Sequence, residues 1–294
     1  MATTTSPANM GPNVLIKSIS DTILEIAKTG GSVASFTNIF QANGEYKFLA
    51  NMGYTPAKIV AEMANVSTTD PNFKEVKLRQ KRMASAIEIT QNALGMAIQP
   101  TFNNHVKNLL TYNVLLGIEE DMFNTGDANG TIGLQNILLH NAGTNKLEDI
   151  NVVTGSSTAI AYDDLWKAYI QLTKQPKSLE GAMLVVEDVS KISSIVDGSG
   201  ASILKYDNVP TGAIGRVFGL PVYKVNAFTS GQKVGAVFIN PFQAYAVSIA
   251  KDAEVKQIKG DTIQEYKKSS ISLGEIYIDG KVVNPRAIVI VKTT

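Results

Sequence analysis

"TFNNHVKNLLTYNVLLGIEEDMFNTGDANGTIGLQNIL" occupies residues 101–138. In its first part, Val106, Leu109, Leu110, Leu116 and Phe123 form one apolar stripe, and Leu115, Ile118 and Met122 widen it. Spacings of three and four predict a long helix over 101–124, about 35 Å long at the α-helical rise. The helix then runs into Gly126, Gly130 and Gly133. Three glycines around an Asp-x-Asn-Gly run could cradle a phosphate, hold calcium or turn the chain. A phosphate loop needs a lysine and a hydroxyl after its second glycine, but Thr131 and Ile132 follow Gly130. A calcium loop with Asp127 at its third position needs a glutamate at its twelfth, where Asn136 stands. The remaining reading is a joint that stops the helix and redirects the chain. The last helical turns carry Glu119, Glu120 and Asp121, the wrong sign for a helix C-terminus. Basic partners from elsewhere would relieve that, with Arg79 and Arg82 as candidates; the other reading is a solvated acidic end.

Upstream, residues 33–91 read as extended. "SVASFTNIFQ", "GEYKFLA", "AKIVAEM" and "FKEVKLRQKRMASAIEITQ" are strand-like runs broken at Asn43-Gly44, Asn51, Gly53 and Pro56. Val76 and Leu78 alternate with Glu75, Lys77, Arg79 and Lys81, the pattern of a strand with one buried and one charged face. Phe36 to Phe73 carries too little apolar patterning for a core of its own, and a lone hairpin is marginal in water. It is expected to lie against something else. Leu15, Ile19, Ile23, Ile26 and Ala27 predict a short helix ended by Gly30-Gly31. Residues 1–13, broken by Pro7, Gly11 and Pro12, predict a flexible polar arm.

Downstream of about residue 150 the pattern becomes mixed α/β, giving an α+β chain. "YDDLWKAYIQL" predicts a helix with Leu165, Ala168, Tyr169 and Leu172 inward and Trp166 as a core aromatic. "AMLVVE" predicts a buried strand, "EDVSKISSIV" a second helix, and "GLPVYKV", "VGAVFIN" and "QAYAVSIAK" further strands. In "EIYIDGKVV", Asp279-Gly280 between alternating apolar residues predicts a hairpin turn, and "RAIVIVK" a terminal strand.

The 294 residues, 44% hydrophobic and 18% charged, suffice for one large or two ordinary domains. Lys and Arg total 27 against 26 Asp and Glu, so net charge alone points to neither nucleic acid nor membrane. The absence of cysteine excludes disulfides, thiolate metal sites and cysteine nucleophiles. The N-terminal sequence lacks a signal-peptide pattern and no apolar run reaches the roughly 18 residues of a membrane span, so the chain reads as soluble and cytoplasmic at synthesis. The two histidines, His105 and His140, stand far apart without acid or base companions. No nucleophile elbow, metalloprotease pair or dinucleotide fingerprint occurs. The reading is of no catalytic residue, no cofactor and no metal. The basic run Lys74, Lys77, Arg79, Lys81 and Arg82 fits a solvated strand face, with phosphate contact as the other use.

Taken in order, these features resemble the major capsid proteins of tailed bacteriophages, the HK-ninety-seven-type fold. Residues 57–90 resemble the strands around that family's extended hairpin, the E-loop, with Glu62 and Phe73 at typical positions. "FNTGDANGTIGLQNIL" resembles the Gly-rich segment after its spine helix. "YDDLWKAYIQL", "AMLVVEDVSKISSIVDGSGASIL", "FGLPVYKVNAF" and "VGAVFINPFQAYAVSI" resemble successive parts of its axial domain, and "IDGKVVNPRAIVIVK" its closing strand. The resemblance covers the chain from about residue 14. It implies an arm and short helix over 1–30, an E-loop and its approach over 31–75, and a peripheral domain over 76–140 with its spine helix at 101–124. An axial domain over 141–262 and closing strands over 263–294 complete the division.

The implied function is a structural, non-enzymatic subunit that assembles through pentamers and hexamers into an icosahedral shell around double-stranded DNA, bound without sequence specificity. The implied location is the virion, assembled in host cytoplasm, with no membrane. Implied partners are further copies and, as separate proteins, scaffolding, portal and decoration components. Candidate contacts between subunits are Tyr46, Lys58, Glu62, Phe73, Arg79, Arg82, Glu119 and Glu120. Two departures from the family matter. The arm begins almost at Met1, so scaffolding is expected to be separate or absent. Gln264 to Ile278 contains no Asn, so a Lys-to-Asn cross-link is not expected. The alternatives are an encapsulin-like nanocompartment shell and, more remotely, a cytosolic hydrolase or nucleotide-binding enzyme using the Gly-rich loop.

Overall fold

The computed structural model describes residues 33–42, 44–51, 59, 73–90, 99–144, 147–174, 178–250, 254–258 and 267–294. The arm expected over 1–13, the helix expected over 14–27, the candidate contacts Lys58 and Glu62, and Gln264 lie outside the described residues.

A 3-10 turn at Val33–Phe36 leads to strands β1 (Asn38–Gln41), β2 (Tyr46–Asn51), β3 (Phe73–Leu78) and β4 (Lys81–Thr90), then to the long helix α1 (Gln99–Phe123). Next come β5 (Asn151–Thr154), α2 (Tyr162–Thr173), β6 (Met183–Val186) and α3 (Ser190–Ser193). They are followed by β7 (Gly215–Val217), β8 (Leu220–Lys224), β9 (Val234–Ile239), α4 (Pro241–Ala244) and β10 (Tyr245–Ile249). The chain closes with β11 (Glu254–Ile258), β12 (Ser269–Val282) and β13 (Ile288–Lys292).

One sheet has the order β5-β13-β9-β6-β8-β7. Its central strands β6, β9 and β13 are apolar at consecutive positions because both faces are covered. Met183, Val185, Val237, Ile239, Ile288 and Ile290 face one core with Ile118, Met122 and Phe123 of α1. The alternate residues Leu184, Val186, Ala236, Phe238, Val289 and Val291 face a second core under Leu165, Ala168 and Leu172 of α2. Strand periodicity of two makes this division automatic.

The other main sheet is built around β12, which pairs along one edge with β4 and along the other with β11 and then β10. Helix α1 lies over the β4–β12 ribbon, with Met83 against Gly117 and Leu110 above Gly274. Strands β2 and β3 form a separate two-stranded hairpin base. A small apolar cluster of Val76, Leu147 and Val283 pins that base to the body.

Four local expectations are corrected. "SVASFTNIFQ" opens with a 3-10 turn before the strand, tied by Thr37 bonding back to the Ala34 carbonyl. The second helix shrinks to Ser190–Ser193: the Asp188 carboxylate accepts the Ser190 N–H at its start, as an N-cap does, and Val196 then leaves it to bridge Ser202. Asp279-Gly280 is no turn but lies inside β12, paired with Ser248 and Val247 of β10. Asp279 tolerates the interior because its carboxylate accepts from the Arg79 and Gly280 N–H groups and from Lys81. Trp166 is not buried but 41% exposed.

Candidate functional site

The segment after α1 is the joint expected from its glycines, and its construction is specific. Backbone N–H groups of Ile137 and Thr229, with the Thr229 hydroxyl, donate to the Met122 and Phe123 carbonyls, which an ending helix leaves orphaned. Gly126 is required by space, since a Cβ there would stand 2.3 Å from the carbonyl oxygens of both Asp121 and Leu134. Asp127 folds the loop around itself by accepting from the N–H groups of Asn129, Thr131 and Ile132. Burial raises its pKa, but the backbone donors outweigh that and leave it lowered. The carboxylate is thus bonded to its own loop and fixes that loop's geometry.

The acidic helix end is relieved differently from expectation. Asp121 accepts from the Leu134 N–H and the Thr125 hydroxyl, and Glu119 accepts from the Val33 N–H at 3.4 Å. Amide and hydroxyl donors meet the first two carboxylates, whereas Glu120 is exposed. The expected pairing with Arg79 and Arg82 is replaced within the subunit: Arg79 Nε lies 3.0 Å from Glu45 and Arg82 2.6 Å from Glu275. The Arg79 hydrogen bond lowers the pKa of Glu45, and that of Glu275 raises the pKa of Arg82.

Where the hairpin base, the glycine loop and β12 meet, they enclose a cleft of about 810 Å³. Among the described residues, Lys74, Lys77, Arg79, Lys81 and Lys281 line it against Glu75 and Asp279. Burial lowers the pKa of Lys281; Asp279 opposes this, while Lys81 and Arg79 add to it. The basic run read from the sequence is therefore one wall of a concave positive surface, joined by a lysine some 200 residues away. Such a surface suits an anionic segment and attracts it over a Debye length.

The structure brings together some predicted contacts and separates others. Tyr46, 42% exposed with its ring 4.7 Å from Phe40, Phe73 and Arg79 belong to the hairpin base and its exit. Arg82 stands on the open face of β4, and Glu119 and Glu120 sit on the last turns of α1. His140 is buried with Nε2 2.9 Å from the Glu148 carbonyl, a structural role. Sequence reasoning missed Gln135, 3% exposed, which bonds the Gly280 carbonyl, the Val282 N–H, the Ala128 carbonyl and the Tyr245 hydroxyl. Its signal was a polar Gln-Asn pair inside the apolar "GLQNIL".

The family model described as the phage capsid family matches residues 11–293. No curated protein matches the chain. Among solved structures, the capsid of an empty GTA particle computed with C5 symmetry is similar at a TM-score of 0.65 and 14% identity, covering 90% of each chain. Gordonia phage Cozz has a TM-score of 0.56 at 12% identity, over 89% of this chain and 86% of that one. Mycobacterium phage Ogopogo has a TM-score of 0.56 at 13% identity, over 89% and 91%. At such identities these structures speak to the fold.

Proposed function

The chain belongs to the phage capsid family, as a structural shell protein and not an enzyme, and on that premise we propose that copies of it assemble through pentamers and hexamers around double-stranded DNA. The single observation that carries this is a family match over almost the whole chain, on a fold shared with solved capsids. In this reading β2 and β3 are the base of the E-loop, α1 is the spine helix, the six-stranded sheet forms the axial domain, and the β12 sheet belongs to the peripheral domain. The division at 30, 75, 140 and 262 is proposed on the same footing. Tyr46, Lys58, Glu62, Phe73, Arg79, Arg82, Glu119 and Glu120 are the proposed contacts between subunits, and assembly takes place in host cytoplasm. Scaffolding, portal and decoration proteins are proposed as separate partners.

Physical support comes from the hairpin. A two-stranded ribbon such as β2–β3 is marginal alone, and ring-forming heterologous contacts supply neighbours that cover it. Electron microscopy of the purified protein should show closed icosahedral particles or capsomer rings. A species that stays monomeric under every assembly condition overturns the proposal. Deleting residues 44–72 should leave folded subunits that do not build stable shells, and normal particles from the deletion would remove the hairpin from the assembly mechanism.

A further inference from the structure

At α2, Tyr162, Tyr169 and Phe218 are half-buried against the second core, and Trp166 lies over them, exposed. Trp166 stacks on Tyr162 at 6.4 Å and on Tyr169 at 5.7 Å, and Phe218 meets it edge-on at 5.3 Å. Trp166 is 41% and the neighbouring Ile170 40% exposed. Phe218 is also held in an unusual way. It is the first residue of the two-residue loop joining β7 to β8, with φ +52°, followed by Gly219 at +81°. Two positive φ values in such a loop favour Asn-Gly or Gly-Gly, and a phenylalanine there is strained. The chain keeps a costly residue where it completes the aromatic face.

We propose that this face is a contact between copies of the chain, with Trp166, backed by Tyr162, Tyr169 and Phe218, covered by the next copy in the shell. The proposal rests on the shell reading above, because a shell of one chain makes another copy the neighbour of each domain. Exposed Asp163 and Lys167 flank the rings, giving the apolar centre and charged rim of an interface, with Trp and Tyr as its usual anchors. A head-to-tail contact joins two different surfaces, and Val196 and Tyr206, 51% and 66% exposed before β7, are apolar groups that a neighbour offers in return.

Trp166 is the only tryptophan in the chain, so intrinsic fluorescence reports on this position alone. Electron microscopy first establishes whether unmodified protein forms particles. Emission and acrylamide quenching are then compared between particles and dissociated subunits. The expected result is a blue shift with loss of quencher access on assembly. Particles in which Trp166 stays as accessible as in free subunits overturn the inference while leaving the shell reading intact; that outcome assigns the face to another occupant. Absence of particles defeats the shell reading and this inference with it. Trp166→Lys and Phe218→Asn should each retain a cooperative thermal transition by circular dichroism yet lose particle yield, asparagine being at ease with positive φ. Normal particles from both variants overturn the inference.

Discussion

The Lys81 ammonium lies 3.0 Å from Asp279 Oδ1, across the paired strands β4 and β12. It also donates to the carbonyls of Gly130 and Gly133. One side chain therefore ties two strands to the joint that follows α1. The Asp279 side chain is 1% exposed and that of Lys81 24%, so both charges work largely out of water, where each depends on the other.

Removing one member should expose that dependence. Lys81→Met leaves a buried carboxylate with only backbone donors, and breaking a buried pair from one side costs about 3–5 kcal/mol. Urea denaturation of the unassembled subunit should show a loss near the lower figure, because Lys81 retains some solvent. A change too small to resolve would mean that the Arg79 and Gly280 N–H groups suffice for Asp279.

Asp127 should give the joint an acid-sensitive stability. Its folded pKa is below the ordinary aspartate value, so between the two values the unfolded chain binds more protons. The stabilisation is fully present above the unfolded pKa, about 3.9, and is lost as pH falls through the folded pKa. Unfolding curves from pH 5 downward should show a steeper acid loss for the natural chain than for Asp127→Asn. Equal slopes would remove Asp127 from the acid response.

Two glycines of β12 should respond oppositely to one methyl group. At Gly280 a Cβ would stand 2.7 Å from Tyr245 Cε1 and 2.8 Å from Leu134 Cδ2, so Gly280→Ala should cost about 1–3 kcal/mol through overpacking. At Gly274 the nearest atoms are those of Leu110, 3.6 Å and beyond, ordinary contact, so Gly274→Ala should be neutral or slightly stabilising. Thermal melts of the pair measure the difference directly.

Charge reversal separates assembly from folding. Lys77 and Glu120 are exposed, and exposed charges, including the Lys77–Glu75 pair at 3.9 Å, contribute little to stability. Lys77→Glu and Glu120→Lys should each keep the subunit melting temperature. Each should lower particle yield and change its dependence on salt, measured by light scattering, if the basic cleft and the acidic helix end face neighbours. Unaltered assembly across the salt series would assign both charges to plain solvation.

Much of the molecule was legible in its residues. A stripe with a period near 3.6 marked α1, and continuous apolar runs marked β6, β9 and β13, because backbone geometry dictates which side chains share a face. The glycines of "NTGDANGTIG" pointed to a joint, and the structure shows Gly126 pressed between the Asp121 and Leu134 carbonyls where the chain leaves α1. Other features depended on contacts remote in sequence. Asp279-Gly280 carried a turn's local signature, yet Lys81, the Arg79 N–H and pairing with β10 hold it within a strand. Trp166 had the composition of a core residue, but the pitch of α2 put Leu165, Ala168 and Leu172 beneath the helix and turned the indole outward. The basic cleft exists only because β12 returns beside β4 and sets Lys281 near Lys81. Local periodicity determines elements and their buried faces; which charges meet, and which rings remain for a neighbour, is decided by long-range strand pairing that no local pattern encodes.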